Sequence, residues 1–387
     1  MNKGQVQRRH VFFVSGFDPK GAAHYHRLYR TQAALQGTVT HTVYEVSDRK
    51  QGDNGNAVWT VRSGDTETVY EYVRWDDIVR AHWPRGAWQV LMRSVRVYGL
   101  LLTMPKLLRK VGGVAGRTLV SLFYPAVYWL GVVLVAMAAA ACGAGLVGLW
   151  MPSLGGSAWL AAGLAASVVL AAGWQWEKSL HTSWLLRIFG FADLHARGQV
   201  PELSQRWDRL AEGIEQALLK PETDEVLLVG FSVGSMGAVS AAARTVKRCA
   251  DVPKALSKLS VLTLGHCIPL FALMPKAHAL RDELACVGAN PHLFWVDCSS
   301  PSDWGSFALV DPVALCVKGQ AVNPRAMTSP RFHTLFDAAT YAVLKKDKRR
   351  MHLQYLMAGQ LPGSYDFFSW TAGAQSLRQR GLHPVVS

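Results

Sequence analysis

Apolar and polar positions along this chain fall into two regimes. From His10 to Ser15 the residues form a continuous apolar run ending in Gly16-Phe-Asp-Pro-Lys-Gly21, which predicts a buried strand followed by a turn and a helix carrying His24, Tyr25, Leu28 and Tyr29. A second strand is expected over Val39 to Val46. Ala57 to Val61 and Thr68 to Val73 alternate around Ser63-Gly64-Asp65, the mark of a β-hairpin. After Pro201 the same grammar resumes. A helix runs to about Lys220 with Trp207, Leu210, Ile214 and Leu218 on one face, and a strand over Glu225 to Val229 leads into a small-residue helix over Ser235 to Lys247. Further strands are expected over Leu259 to Leu264 and His292 to Val296, a largely helical stretch over Phe271 to Val287, a short strand within Asn323 to Phe332, and a long helix over Asp337 to Ala358. Strands alternating with helices in this way predict an α/β fold, a mostly parallel sheet covered on both faces.

The second regime lies between these halves. No charged residue occurs between Arg117 and Glu177, and Met151-Pro-Ser-Leu-Gly-Gly-Ser157 divides the interval into two apolar stretches, Leu119 to Trp150 and Ala158 to Trp176. Each is long enough for the roughly 20 residues a spanning helix needs, and neither has the polar face of a surface helix. The expectation is a transmembrane hairpin over 119–176. It sits in an insertion of residues 85–190 between an N-terminal part, 1–84, and a C-terminal part, 191–387, of one α/β domain.

Charge gives the hairpin a direction. Arg85, Arg93, Arg96, Lys106, Arg109, Lys110 and Arg117 precede it with no acid among them, whereas the turn inside it is uncharged. By the positive-inside rule both flanks lie on the cytoplasmic side of the inner membrane, so the two parts of the α/β domain share one compartment. The Trp-, Leu- and Arg-rich stretch from Trp75 to Lys110 suits helices lying on the membrane surface, and His181 to Phe191 suits another such piece. Met1 to His10 is basic but runs directly into a strand, unlike a secretory leader. The formal charge of +14 over 387 residues is then assigned to lipid headgroups rather than nucleic acid. Six cysteines without paired spacing fit reduced thiols, and His266, Cys267 and Cys298 lack the spacing of metal ligands, so no metal or cofactor is expected.

The chemistry-bearing motif is Val226-Leu-Leu-Val-Gly-Phe-Ser-Val-Gly234, a buried strand opening into Gly-x-Ser-x-Gly and a helix. A serine on such a strained turn sits too close to neighbouring backbone for side chains at Gly230 and Gly234. The helix N-terminus behind it points N–H groups toward charge forming on a substrate carbonyl oxygen. Ser232 is therefore the candidate nucleophile.

On these residues the chain resembles the α/β-hydrolase superfamily of serine hydrolases, over roughly Val11 to Val46 and Pro201 to Leu335, and most resembles bacterial membrane-associated members. The resemblance implies a triad in the chain order Ser, acid, His. Asp303, a few residues beyond the expected strand, matches the family's acid position; Asp297 and Asp311 are the alternatives. His333 matches the position of the general base. His352 is its rival and reaches the catalytic edge only if the last helix breaks near Lys345 to Arg350. Oxyanion donors would come from Val233 and the Gly16-Phe17 turn, where Ser15-Gly16 replaces the family's His-Gly. The implied function is an esterase- or lipase-like enzyme, membrane-anchored, acting on an acyl ester or lipid. A non-catalytic hydrolase-like scaffold is the alternative.

Overall fold

The computed structural model describes residues 5–150, 157–317, 319 and 325–382. The chain divides into two compact units, one comprising Met1–Trp83 with Phe191–Ser387 and the other Pro84–Gly190.

The first unit is built on a nine-stranded sheet. Its strands are β1 (Arg8–Val14), β2 (Glu45–Val46), β3 (Lys50–Gln51), β4 (Ala57–Ser63), β5 (Thr66–Tyr72), β6 (Glu225–Phe231), β7 (Leu259–Leu264), β8 (Phe294–Cys298) and β9 (Arg325–Thr328). Their order is β2-β4-β5-β1-β6-β7-β8-β9, with β3 also on β4. From β5 to β9 every pairing is parallel, while β4 runs antiparallel to β2, β3 and β5. Residues of β6 and β7 are buried at every position, as expected of central strands with helices on both faces.

Alternation along β1 decides which helix meets which face. Val11 and Phe13 join the core cluster that includes Tyr25, Tyr29 and Ala33 of helix Ala22–Thr40. Phe12 points the other way, and its ring lies where a Cβ on Gly213 of helix Pro201–Leu219 would touch it. Trp207 of that helix rests on Gly237, where an added Cβ would come within 2.6 Å of the indole.

Several sequence-based expectations need adjusting. Helix Ala22–Thr40 consumes the start of the strand expected over Val39 to Val46, leaving only β2. The hairpin forms as expected, with Ser63 paired to Thr66 and Gly64 at φ +56° in the two-residue turn. The long helix expected over Asp337 to Ala358 is broken into Ala338–Leu344, Lys348–Leu353 and a 3-10 turn, Gln354–Leu356. Of the last expected strand, Asn323 and Pro324 lie outside the described residues.

The chain after Gly359, which carries no readable motif, completes the core. Tyr365, Phe367, Phe368 and Trp370 are buried in the same cluster as Phe13 and Tyr29. Arg9 fastens this tail to β6: its Nε donates to Glu225 at 2.7 Å, and its terminal nitrogens donate to the carbonyls of Gly373 and Gln375.

The second unit is helical. Gly116–Trp150 and Ser157–Glu177 are long and apolar enough to cross a membrane, and most of their large apolar side chains are exposed, Leu149, Trp159 and Leu164 among them. The two helices approach closely, Tyr128 Oη donating to Gly173 O at 2.5 Å and an added Cβ on Gly143 falling 3.0 Å from Ala161 O. Residues 151–156, most of the uncharged turn, lie outside the described residues.

Candidate active site

Ser232 occupies a corner that few side chains tolerate. It has φ +56° between β6 and helix Gly234–Arg248, a left-handed conformation that costs a non-glycine residue on the order of 1–3 kcal/mol. The surroundings hold it there. Ser232 N–H donates to Leu264 O at 2.9 Å, and Ser232 O accepts from Ser235 N–H at 3.1 Å. The flanking glycines are sterically required: a Cβ on Gly230 would lie 2.6 Å from Ser235 Cα, and one on Gly234 would collide with the carbonyl oxygens of Val14 and Ser15.

Ser232 Oγ stands 2.8 Å from His352 Nε2, and His352 Nδ1 stands 2.8 Å from Asp303 Oδ2. An ionised carboxylate only accepts, so Nδ1 carries the imidazole proton and Nε2 is left to accept from the serine hydroxyl. Asp303 is held in turn by Gly305 N–H, which donates to its other oxygen at 3.0 Å. The imidazole lies on the Phe231 ring, 5.1 Å between centroids. Serine hydroxyl, imidazole and carboxylate thus form one hydrogen-bonded line, an arrangement chemically able to draw a proton from Ser232 Oγ.

The histidine differs from the one the family position favours. His333 is exposed on the 3-10 turn Phe332–Thr334 beside Tyr341, and it makes no contact with Ser232. His352 takes the place because the last helix ends at Leu344 and restarts at Lys348. Asp347 caps the new segment by accepting from Arg350 N–H at 2.9 Å. Without that break His352 would stand about 20 Å along a straight helix from its start.

The other sequence candidates find separate places. Asp297, inside β8, accepts from Thr263 Oγ1 at 2.7 Å and Ser299 Oγ at 2.6 Å, and burial pushes its carboxyl above the ordinary value. It braces the loop that carries Asp303, because Ser299 Oγ also accepts from Leu309 N–H. His266 adds to that brace: its backbone carbonyl accepts from Phe307 N–H at 3.0 Å, and its Nε2 donates to Val310 O at 3.2 Å. At the near end of the loop Ser300 N–H donates to Tyr355 Oη at 2.7 Å. Asp311 caps helix Pro312–Cys316 through the N–H groups of Val313 and Ala314. Among the described residues no group of three or more His, Cys, Asp or Glu side chains is arranged to hold a metal ion.

Gly16 and Val233 border the serine. A Cβ on Gly16 would come within 3.2 Å of Ser232 Cβ, and Val233 precedes helix Gly234–Arg248. Phe17 follows with its ring buried against Trp83 and Phe191. Cys267, weighed in the sequence only as a metal ligand, has its Sγ 3.7 Å from Ser232 Oγ and 3.3 Å from Gly305 O. Burial pushes its thiol up to about 12, so it stays protonated at neutral pH and does not compete as a nucleophile. No sequence signal marks it. The whole group is roofed over, with Ser232 3%, His352 5% and Asp303 2% exposed.

Comparison of the chain with family models, curated proteins and solved structures finds no match. The fold and the geometry around Ser232 stand on their own.

Proposed function

We propose that this chain is a membrane-anchored serine hydrolase of the α/β-hydrolase type, cleaving an acyl ester with Ser232, His352 and Asp303. The observation that carries the reading is the hydrogen-bonded line Asp303–His352–Ser232, drawn from three separate segments and ending on a left-handed serine. Side chains far apart in sequence do not assemble in that order for packing alone. The order Ser, acid, His, on segments following β6, β8 and β9, also agrees with the superfamily pattern.

In the reaction Ser232 Oγ attacks the ester carbonyl carbon and its proton passes to His352 Nε2. The carbonyl oxygen takes the negative charge, facing N–H groups of Val233 and the Gly16-Phe17 turn. Collapse breaks the carbon–oxygen bond of the alcohol, which leaves with the proton from Nε2. Water, deprotonated by the same nitrogen, then attacks the acyl-enzyme and releases the carboxylic acid and free Ser232. Asp303 keeps Nδ1 protonated throughout. Because the trio is roofed over, substrate entry requires the covering segments to part, as lids do.

The apolar helices give the enzyme its address. With both ends of the hairpin on the cytoplasmic face, the α/β domain works beside the bilayer, and an acyl lipid reaches it without leaving the membrane. The test is a fluorophosphonate probe applied to the full chain in detergent. Labelling that disappears in Ser232→Ala supports the enzyme. The near-complete burial of Ser232 favours one other reading, a hydrolase-like binding module, and a folded wild type that takes up no probe would establish it instead.

A further inference from the structure

A cavity of about 210 Å³, with no triad residue in its walls, opens where the end of β5 meets helix Pro201–Leu219. Asn54, Asn56, Arg74, Asp77, Arg206 and Arg209 line it. A single water needs about 10–15 Å³ of such space, so there is room for a small ligand. The charge is one-sided: three guanidinium groups against one carboxylate leave two positive charges unopposed. Asp77 is committed to Arg206, its Oδ1 accepting from Nη1 at 3.1 Å and its Oδ2 from Nη2 at 2.8 Å. Arg74 and Arg209 are exposed and have no carboxylate partner among the described residues; Arg209 Nε donates to the Gln205 carbonyl of its own helix, at 3.4 Å.

The walls are fixed by bonds of their own. Asn54 Nδ2 and Asn56 Nδ2 both donate to Glu71 Oε1, at 2.7 Å and 2.6 Å, and Asn56 Oδ1 accepts Arg74 N–H at 3.0 Å. The turn between β3 and β4 is thereby tied to the end of β5, and Arg74 is held at the rim. Glu71 is buried, does not line the cavity, and has its other oxygen 3.1 Å from His10 Nε2, so its charge is spent on the scaffold. On the opposite wall Arg206 and Arg209 stand three residues apart and share one helix face. Arg206 Nε is buried with no acceptor, a donor that the protein leaves unanswered.

We propose that this cavity is a binding site for a phosphate monoester group, held between Arg74 and Arg209, with Arg206 as the third cation. A phosphate monoester carries close to two negative charges at neutral pH, which the two unopposed guanidinium charges match and a carboxylate does not. Guanidinium groups also present parallel N–H donors to phosphate oxygens, so the arginines supply geometry as well as charge. The inference is independent of the chemistry at Ser232. A soluble phosphorylated metabolite and the headgroup of phosphatidic acid share the group that the cavity recognises.

The experiment is calorimetric titration of the full chain in detergent with glycerol phosphate. Saturable binding at one site is expected, with acetate much weaker. Arg74→Gln, and separately Arg209→Gln, should each raise Kd about tenfold, as loss of a charge-assisted contact implies, with the melting curve unchanged. Ser232→Ala should bind as the wild type does. So should Lys254→Gln, which removes an exposed charge outside the cavity walls and controls for general attraction to a basic chain. Phosphatidic acid in mixed micelles separates the sources: a Kd equal to that of glycerol phosphate points to soluble phosphate esters, and much tighter binding of the lipid points to a headgroup. Absence of saturable binding, an unchanged Kd in both arginine variants, or an equal loss in Lys254→Gln overturns the proposal. Loss of binding in Ser232→Ala overturns it as well, by moving the phosphate to the serine.

Discussion

His352 Nε2 and Ser232 Oγ stand 2.8 Å apart across 120 residues of sequence, at the end of a helix that had to stop and restart for the two to meet. A general base earns its role by reach first and basicity second. His352→Ala should therefore lower ester turnover by at least about 10³-fold, the scale of losing a triad member. His333→Ala should leave turnover unchanged. The reverse result, measured on purified protein of equal thermal stability, would return the role to His333.

Asp303 contacts the imidazole of His352, at 2.8 Å, and in the proposed reaction it acts through that ring. Replacing it with Asn keeps the size and offers an amide where a carboxylate stood, which no longer fixes the proton on Nδ1. Asp303→Asn should reduce kcat by about 10⁴-fold with an unchanged melting curve. Retention of most of the wild-type kcat would mean another carboxylate orients His352.

Asp297 offers a test of stability against pH. Burial, the main cause, raises its folded carboxyl above the ordinary 3.8, against the pull of His266, Ser299 and Thr263. The folded state therefore holds the proton longer than the unfolded chain. The sign follows: this group's stability contribution is full below 3.8 and is lost as pH rises through the folded value. Asp297→Asn removes the dependence, so its Tm relative to the wild type should improve as pH rises through that range. A difference in Tm that is flat with pH would show that Asp297 ionises as readily folded as unfolded.

Gly234 has no room for a methyl group beside the carbonyls of Val14 and Ser15. Gly234→Ala must push β1 away from the serine corner, at a cost of about 1–3 kcal/mol for overpacking. Chemical denaturation should register that loss, and probe labelling of Ser232 should fall further than stability alone explains. Wild-type labelling in this variant would show the corner to be more yielding than its contacts imply.

Cys142 reports on the apolar helices. It is an exposed thiol in the second half of helix Gly116–Trp150. If that helix crosses a bilayer, lipid provides the cover. In a variant that keeps Cys142 as its single cysteine, a charged maleimide should react slowly in intact membranes and fast after denaturation in detergent. Equal rates in both would place the helix outside the bilayer.

Much of this was legible because it is local. The apolar run of β6, its glycines and the small-residue helix behind it marked Ser232 from sequence, since strand, turn and helix follow one another directly along the chain. The two membrane-length helices were legible for a similar reason, as length and absence of charge are properties of a single segment. Asp303 was reachable through its distance from a strand end. The tail after Gly359 was not, because its aromatic residues acquire meaning only against Phe13 and Tyr29, laid down more than 300 residues earlier.

The sequence alone determined what each short stretch does with its own backbone: which runs are strands, where a serine is forced into a left-handed turn, and which helices lack any polar face. Tertiary structure alone decided which histidine meets that serine. Periodicity favours one unbroken helix from Asp337, and the break at Lys345 to Asp347 is worth making only when Met351, His352 and Tyr355 can be buried against the sheet and Asp347 can cap the new start. Burial against distant strands is a property of the folded whole, so no local pattern announces it.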